Sequence, residues 1–228
     1  LLSILYEYSD KRILSKKLCS LISDIYLKYN KFDSVFRKPE ISSSFPSEKV
    51  WDTYFSRKVG EHYRLLPLII NLINASKVVE IGTFKGASSK SILLNSNASV
   101  HTFDIKKWDT FNGTYLNKND FNNGLIIQSI ADLSEDYQFK KYSNILLEAE
   151  FIFIDGPKNY NFEKKFLIKL FNIYKKNTEN ELIILMDDVR LSTMAKIWKS
   201  IDYPKCVLDM VGHWSGSGLI YLSNSKNK

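Results

Sequence analysis

The chain has 228 residues, 44% of them hydrophobic and 25% charged, and a net charge of +7. That length suits one α/β domain with an appendage, and the composition excludes a disordered, collagen-like or coiled-coil chain. The longest apolar run, Leu65 to Ile73, is interrupted by Pro67 and Asn71 and falls far short of the roughly 20 residues a membrane span needs.

Apolar positions at helical spacing (Leu14, Leu18, Leu21, Ile22, Ile25, Tyr26) predict a first helix. A loop with Pro39, Ser42 to Ser44 and Pro46 follows. Ser47 reads as the N-cap of a further helix that carries Val50 and Trp51, and that helix, or a pair of them, runs to about Asn74. Residues 1–50 are expected to form a helical extension, a lid or a dimer surface, laid on a main domain of residues 51–228.

From Lys77 the period changes. Strands are predicted at Lys77–Ile81, Val100–Asp104, Leu125–Gln128, Phe151–Asp155 and Leu182–Met186. Helices are predicted at Lys85–Leu94, up to about Leu147, along the Phe162 to Tyr174 face, and at Ser192–Ile201. Cys206–Met210 and Leu219–Leu222 read as two strands joined by a Gly/Ser-rich turn. Alternating strand and helix implies a mainly parallel, Rossmann-like sheet with helices on both faces. The last pair lacks room for a crossover, so it must be an antiparallel hairpin.

Open sheets of this kind bind ligands at the carboxyl ends of their strands. Glu80-Ile81-Gly82-Thr83-Phe84-Lys85-Gly86 sits at such an end. Gly82 allows a sharp turn and Gly86 a close helix start. The Glu80 carboxylate would repel a pyrophosphate and attract a cationic amino-acid ligand. The glycine spacing is also not that of dinucleotide binders. Asp104, ending the second strand, can accept hydrogen bonds from ribose hydroxyls.

The segment Glu80 to Ser89, EIGTFKGASS, resembles the first motif of class I S-adenosylmethionine-dependent methyltransferases, nearest to small-molecule O-methyltransferases of the catechol, caffeoyl-CoA and macrolide-sugar types. The resemblance covers about residues 60 to 222. It implies that Glu80, Gly82, Phe84, Gly86 and Ser88 surround the methionine end of S-adenosylmethionine, that Asp104 holds the ribose, and that Ala131 and Asp132 lie by the adenine. It also implies a seven-stranded sheet whose last strand is antiparallel.

Asp155 ends the fourth predicted strand; Asp187 and Asp188 end the fifth. If these strands are neighbours, three carboxylates converge at one rim, which is costly without a proton or a cation. An all-oxygen site with open positions suits Mg2+, with Mn2+ or Ca2+ as alternatives. Helix capping is the competing account of any one of these acids. The resemblance sharpens the metal reading, since metal-dependent O-methyltransferases carry an Asp and then an Asp-Asp or Asp-Asn pair at these strand ends. Asp155 would border the cofactor as well. In catechol-type members a Lys three residues after the first acid takes the substrate proton, and Lys158 stands at that spacing. His213, in the terminal turn, is the second candidate base.

Four aromatic residues in the long loop after Asp104, Trp108, Phe111, Tyr115 and Phe121, are candidates to stack on an acceptor. Glu61, His62 and Tyr63 precede the first strand and could reach the pocket. The expectation is therefore O-methyl transfer to a hydroxyl of a small molecule or a sugar. A nucleic-acid methyltransferase is the alternative, but Asp155-Gly156-Pro157-Lys158 lacks the Asn/Asp-Pro-Pro-aromatic pattern of amino-methylating relatives. The positive charge comes from 27 Lys and 5 Arg spread along the sequence, whereas specific phosphate recognition leans on Arg, so solvated surface is expected rather than a nucleic-acid partner. An NAD-dependent dehydrogenase and a non-catalytic nucleoside-binding module are weaker readings. The chain opens on Leu1 without a leader pattern, and Cys19 and Cys206 form neither a disulfide framework nor a metal cluster, so a cytoplasmic protein is expected.

Overall fold

The computed structural model describes residues 15–38, 61–177, 180–211 and 214–223. The expected loop around Pro39 and Pro46, the Ser47 cap with Val50 and Trp51, Leu14 and His213 all lie outside them.

In chain order the elements are α1 (Lys16–Phe32), α2 (His62–Leu72), β1 (Lys77–Ile81), α3 (Ala87–Asn95), β2 (Ser99–Asp104), β3 (Ile126–Ile130), α4 (Asp136–Glu148), β4 (Phe151–Ile154), α5 (Asn161–Asn177), β5 (Leu182–Met186), α6 (Ser192–Ser200), β6 (Lys205–Val207) and β7 (Gly218–Leu222). Two short 3-10 turns, Trp108–Thr110 and Lys118–Phe121, interrupt the loop after β2.

The seven strands form one sheet in the order β3-β2-β1-β4-β5-β7-β6. The first five are parallel, and β7 runs antiparallel to both β5 and β6. The order reverses between β1 and β4, so the carboxyl end of β1 faces a topological switch point, the usual ligand crevice of such sheets. β4 and β5 are fully buried and wholly apolar, as central parallel strands must be.

The sheet parts two apolar layers, and consecutive strand residues alternate between them. Val78, Phe151, Phe153, Ile183 and Leu185 face one layer, with Leu18, Ile22 and Ile25 of α1 and Leu65, Leu66 and Ile69 of α2. Val79, Ile152, Ile154, Ile184 and Met186 face the other, with Phe139 of α4, Phe166 and Leu170 of α5, and Met194 and Ile197 of α6. α1 thus contributes to the first apolar layer itself. Among the described residues no helix is long and apolar enough to cross a membrane.

α2 carries a proline in its interior, Pro67. Proline has no N–H to offer the carbonyl four residues back, that of Tyr63. The Ser91 hydroxyl of α3 donates to that carbonyl instead, which ties α2 to α3 beside the functional rim.

Candidate active site

β1 delivers Glu80 and then turns at Gly82, whose φ is +103°. A Cβ here would lie 2.1 Å from the Asp155 carbonyl oxygen. Glycine is therefore required on that side to let the chain leaving β4 pass. Gly86 caps α3 in the left-handed conformation, and its open side is filled by the Leu116 side chain.

Glu80 is completely buried. The hydroxyls of Ser88 and Ser89, on the first turn of α3, donate to its two carboxylate oxygens. Burial nevertheless pushes its pKa up to about 7, against the pull of those hydroxyls. The Glu80 charge is thus spoken for inside the protein by Ser88, the residue expected beside it at the methionine end.

At the end of β2 the Asp104 carboxylate accepts from the backbone N–H of Phe84 (2.8 Å) and of Lys106 (3.0 Å). Phe84 has a positive φ of 45° and its ring is exposed. Ile105, next to Asp104, and Ile130, opposite it in the β2–β3 register, are exposed as well. Exposed apolar side chains around an acid at a strand end suit a nucleoside, with apolar cover for the base and an acceptor for the ribose. Ala131 is buried at the end of β3, and Asp132 accepts from the Ser134 N–H. Sequence patterning does not single out Ile105 and Ile130.

The β4 and β5 ends bring the three acids together. Asp155 and Asp187 are tied by backbone bonds to the neighbouring strand, Asp155 N–H to the Ile81 carbonyl and Asp187 N–H to the Ile154 carbonyl. Their carboxylates surround one cation, the Lys158 ammonium. Lys158 Nζ pairs directly with Asp155, lies 2.8 Å from Asp188 Oδ2 and 3.6 Å from Asp187 Oδ2. Burial disfavours its charge, but Asp155 and Asp187 outweigh that and hold the lysine above its ordinary range. Burial, with Asp187 adding to it, pushes Asp155 upward from the ordinary carboxylate range. Lys158 thus stands as a held counter-ion, unlike the depressed lysine that a free base requires.

The loop bearing Lys158 is braced. Its N–H donates to Glu163 Oε1 at 2.7 Å, and its carbonyl accepts from the Thr193 hydroxyl. Lys158, Tyr160 and Asp188 all have positive φ. With Phe84, they are four of the five non-glycine residues of that kind among those described, and such strain gathers where function imposes it.

A fifth side chain joins the three acids and Lys158 from the other face of the sheet. His62, at the start of α2, is buried, with Nδ1 4.0 Å from Asp187 Oδ1. One ligand atom each from His62, Asp155 and Asp187 lie within 4.8 Å of one another. The sequence marks His62 only by its nearness to β1, because nothing in its spacing tells that α2 points it over β4 and β5. Of the aromatic loop, Trp108 and Tyr115 turn inward, Trp108 stacking on Phe121. Phe111 packs edge-on against the exposed Phe84 and stays at the rim.

A carboxylate cage that already closes round one positive charge fits a divalent cation. Asp155, Asp187 and Asp188 could hold one in place of the ammonium, since oxygen ligands suit hard ions. A groove of about 590 Å³ opens at the opposite, amino edge of the sheet between Lys17, Glu148, Glu150 and Glu181. Its charges are engaged with each other and with the Ser76–Lys77 backbone, so the chemistry belongs to the carboxyl rim.

A seven-stranded sheet with an antiparallel last strand, acids at the β4 and β5 ends and a glycine turn after β1 define a methyltransferase fold. The chain belongs to the O-methyltransferase family, whose pattern it matches over residues 52–189. It is similar in structure to a methyltransferase from Geobacter sulfurreducens, with 15% identity over 78% of this chain and 87% of that one and a TM-score of 0.51. It is also similar to a structure assigned as a caffeoyl-CoA O-methyltransferase from Staphylococcus aureus, with 16% identity, 86% and 99% coverage and a TM-score of 0.52. At such identities the likeness shows the fold. No curated protein matches at a significant level.

Proposed function

We propose that the chain moves a methyl group from S-adenosylmethionine to a hydroxyl of a small molecule or sugar, assisted by Mg2+ or another divalent cation. One observation carries this reading: at the carboxyl rim of a methyltransferase sheet, the Asp155, Asp187 and Asp188 carboxylates converge on the Lys158 ammonium, a set of oxygen donors that a divalent cation could share.

In this reading Glu80, the Gly82 turn, Phe84, Gly86 and Ser88 border the methionine end, Asp104 accepts from the ribose, and Ala131 and Asp132 lie by the adenine with Ile105 as apolar cover. Asp155, Asp187 and Asp188 would hold the cation, which would supply the polarisation that lowers the pKa of an acceptor hydroxyl. The acceptor oxygen bonds to the methyl carbon as the carbon–sulfur bond breaks, the sulfonium becomes a neutral thioether, and the hydroxyl proton leaves to a base. Lys158 Nζ is the first candidate for that base, provided that the cation takes over the carboxylates that now hold its proton, and His213 is the second. Holding both reactants in register supplies much of the acceleration. Residues 51–228 would carry the transferase, with α1 of the 1–50 extension packed into its first apolar layer and the outer face of that extension serving as a dimer surface.

The test is calorimetric titration with S-adenosylhomocysteine and NAD, beside turnover assays with and without chelator. S-adenosylhomocysteine is expected to bind, NAD not, and chelation is expected to stop turnover while leaving cofactor binding intact. Asp187→Asn is expected to abolish transfer with cofactor affinity changed by no more than about threefold; unchanged activity would remove the cation from the mechanism. A nucleic-acid methyltransferase would instead show a salt-sensitive affinity for RNA, and a binding module would bind the nucleoside without turnover.

A further inference from the structure

The carboxylate cage is walled from two sides. Lys158 reaches it from the loop between β4 and α5. From the α2 side comes His62, a buried imidazole whose position is fixed by its ring contacts. The His62 ring lies 4.0 Å from the Tyr63 ring centroid and stacks on Phe153 of β4 at 5.9 Å and 24°. Held there, it presents Nδ1 to Asp187 Oδ1 at 4.0 Å, with side-chain exposures of only 7% and 6%.

Lys158 covers the cage unevenly. Its ammonium is close to Asp155 and Asp188 and farther, at 3.6 Å, from Asp187 Oδ2. The other Asp187 oxygen faces His62. The side of the cage between His62 and Asp187 Oδ1 is therefore the part that the ammonium covers least. One ligand atom from each of His62, Asp155 and Asp187 lies within 4.8 Å of the others, close enough for a small inward movement to let them share one ion with bonds of about 2.0–2.3 Å.

We infer that His62 is a nitrogen ligand of the divalent cation, and that it turns an all-oxygen magnesium site into a mixed site favouring a first-row transition-metal ion. This rests on the divalent-cation reading proposed above. Mg2+ is a hard ion that gains little from imidazole, whereas transition ions bind it well. His62 needs to be neutral and to present one ring nitrogen; no bond is made or broken beyond coordination.

The experiment uses the full, tag-free chain stripped of metal, with MnCl2 and MgCl2 as probes. Calorimetry is expected to show Mn2+ binding at least about tenfold tighter than Mg2+. Pulsed EPR of the Mn2+ complex is expected to show modulation from a directly coordinated 14N. In His62→Asn that modulation disappears and Mn2+ affinity falls by about tenfold or more, while Mg2+ affinity moves by less than about threefold. The chain has 3 histidines, so His101→Asn and His213→Asn, which keep the modulation, assign it to His62 even if His62→Asn does not fold. A wild-type Mn2+ complex without nitrogen modulation, or modulation that survives His62→Asn, overturns the role of His62 and leaves the carboxylate site standing. Failure of Mn2+ and Mg2+ to bind up to millimolar concentrations overturns both.

Discussion

Glu80 is a carboxylate sealed in the protein with only hydroxyl partners, and its raised pKa has a measurable sign. In the unfolded chain it ionises near its ordinary value of 4.5; in the fold it keeps its proton up to about pH 7. Between those values the native state binds the extra proton, so stability falls as pH rises and levels off above 7. Glu80→Gln is expected to remove this slope. Denaturant midpoints at pH 5 and pH 8 should show wild type losing about 1–3 kcal/mol more than the variant, and equal losses would mean that Glu80 is ionised throughout. Gly82 makes a different prediction. With φ at +103° and the Asp155 carbonyl oxygen 2.1 Å from where a Cβ would stand, Gly82→Ala is expected to cost about 3 kcal/mol or more in chemical denaturation, by parting β1 from β4. At this scale the acids are legible in the sequence, because two consecutive carboxylates after a wholly apolar strand have few structural uses. Two things are hidden there: that Lys158 folds back into their midst, and that Gly82 serves a neighbouring backbone. Both depend on contacts that no spacing encodes.

Among the elements, legibility follows burial. β5 is where periodicity places it, Leu182–Met186, because a continuous apolar run bounded by polar residues admits few registers. β3 is shifted, expected at Leu125–Gln128 and found at Ile126–Ile130. It is an edge strand with Ile127 and Ile130 exposed, so its pattern is weak. The strand expected at Cys206–Met210 is only Lys205–Val207. Leu208 leaves it to bury its side chain completely, its N–H donating to the Ser217 carbonyl. α3 begins at Ala87 rather than at Lys85, because Gly86 adopts the left-handed cap. α2 offers the prediction at this scale. Pro67 cannot donate to the Tyr63 carbonyl, and the Ser91 hydroxyl does. Ser91→Ala is expected to cost about 1–2 kcal/mol in the wild-type background and less in Pro67→Ala, where the residue 67 N–H returns. A denaturant double-mutant cycle reads this, and equal costs in both backgrounds would separate Ser91 from the helix break.

At the scale of the molecule, the proposed site belongs to neither apolar layer alone. The sheet separates them, and the rim is where they meet: α2 of one layer supplies His62, while the loop entering α5 of the other supplies Lys158 and the first turn of α5 supplies Glu163. A sheet of seven hydrogen-bonded strands is a stiff partition, since close-packed interiors relax only partly around a void. Ile69 of α2 and Leu170 of α5 are both fully buried, one on each side. Ile69→Ala and Leu170→Ala are each expected to cost about 2–5 kcal/mol. Because the cavities share no lining, the double variant should lose the sum of the two to within about 0.5 kcal/mol. Urea or guanidinium titrations of the four proteins measure this, with one transition expected in each. A deficit or excess beyond that margin would show strain passing through the sheet, so that packing in the α5 layer would reset the position of His62 across the rim.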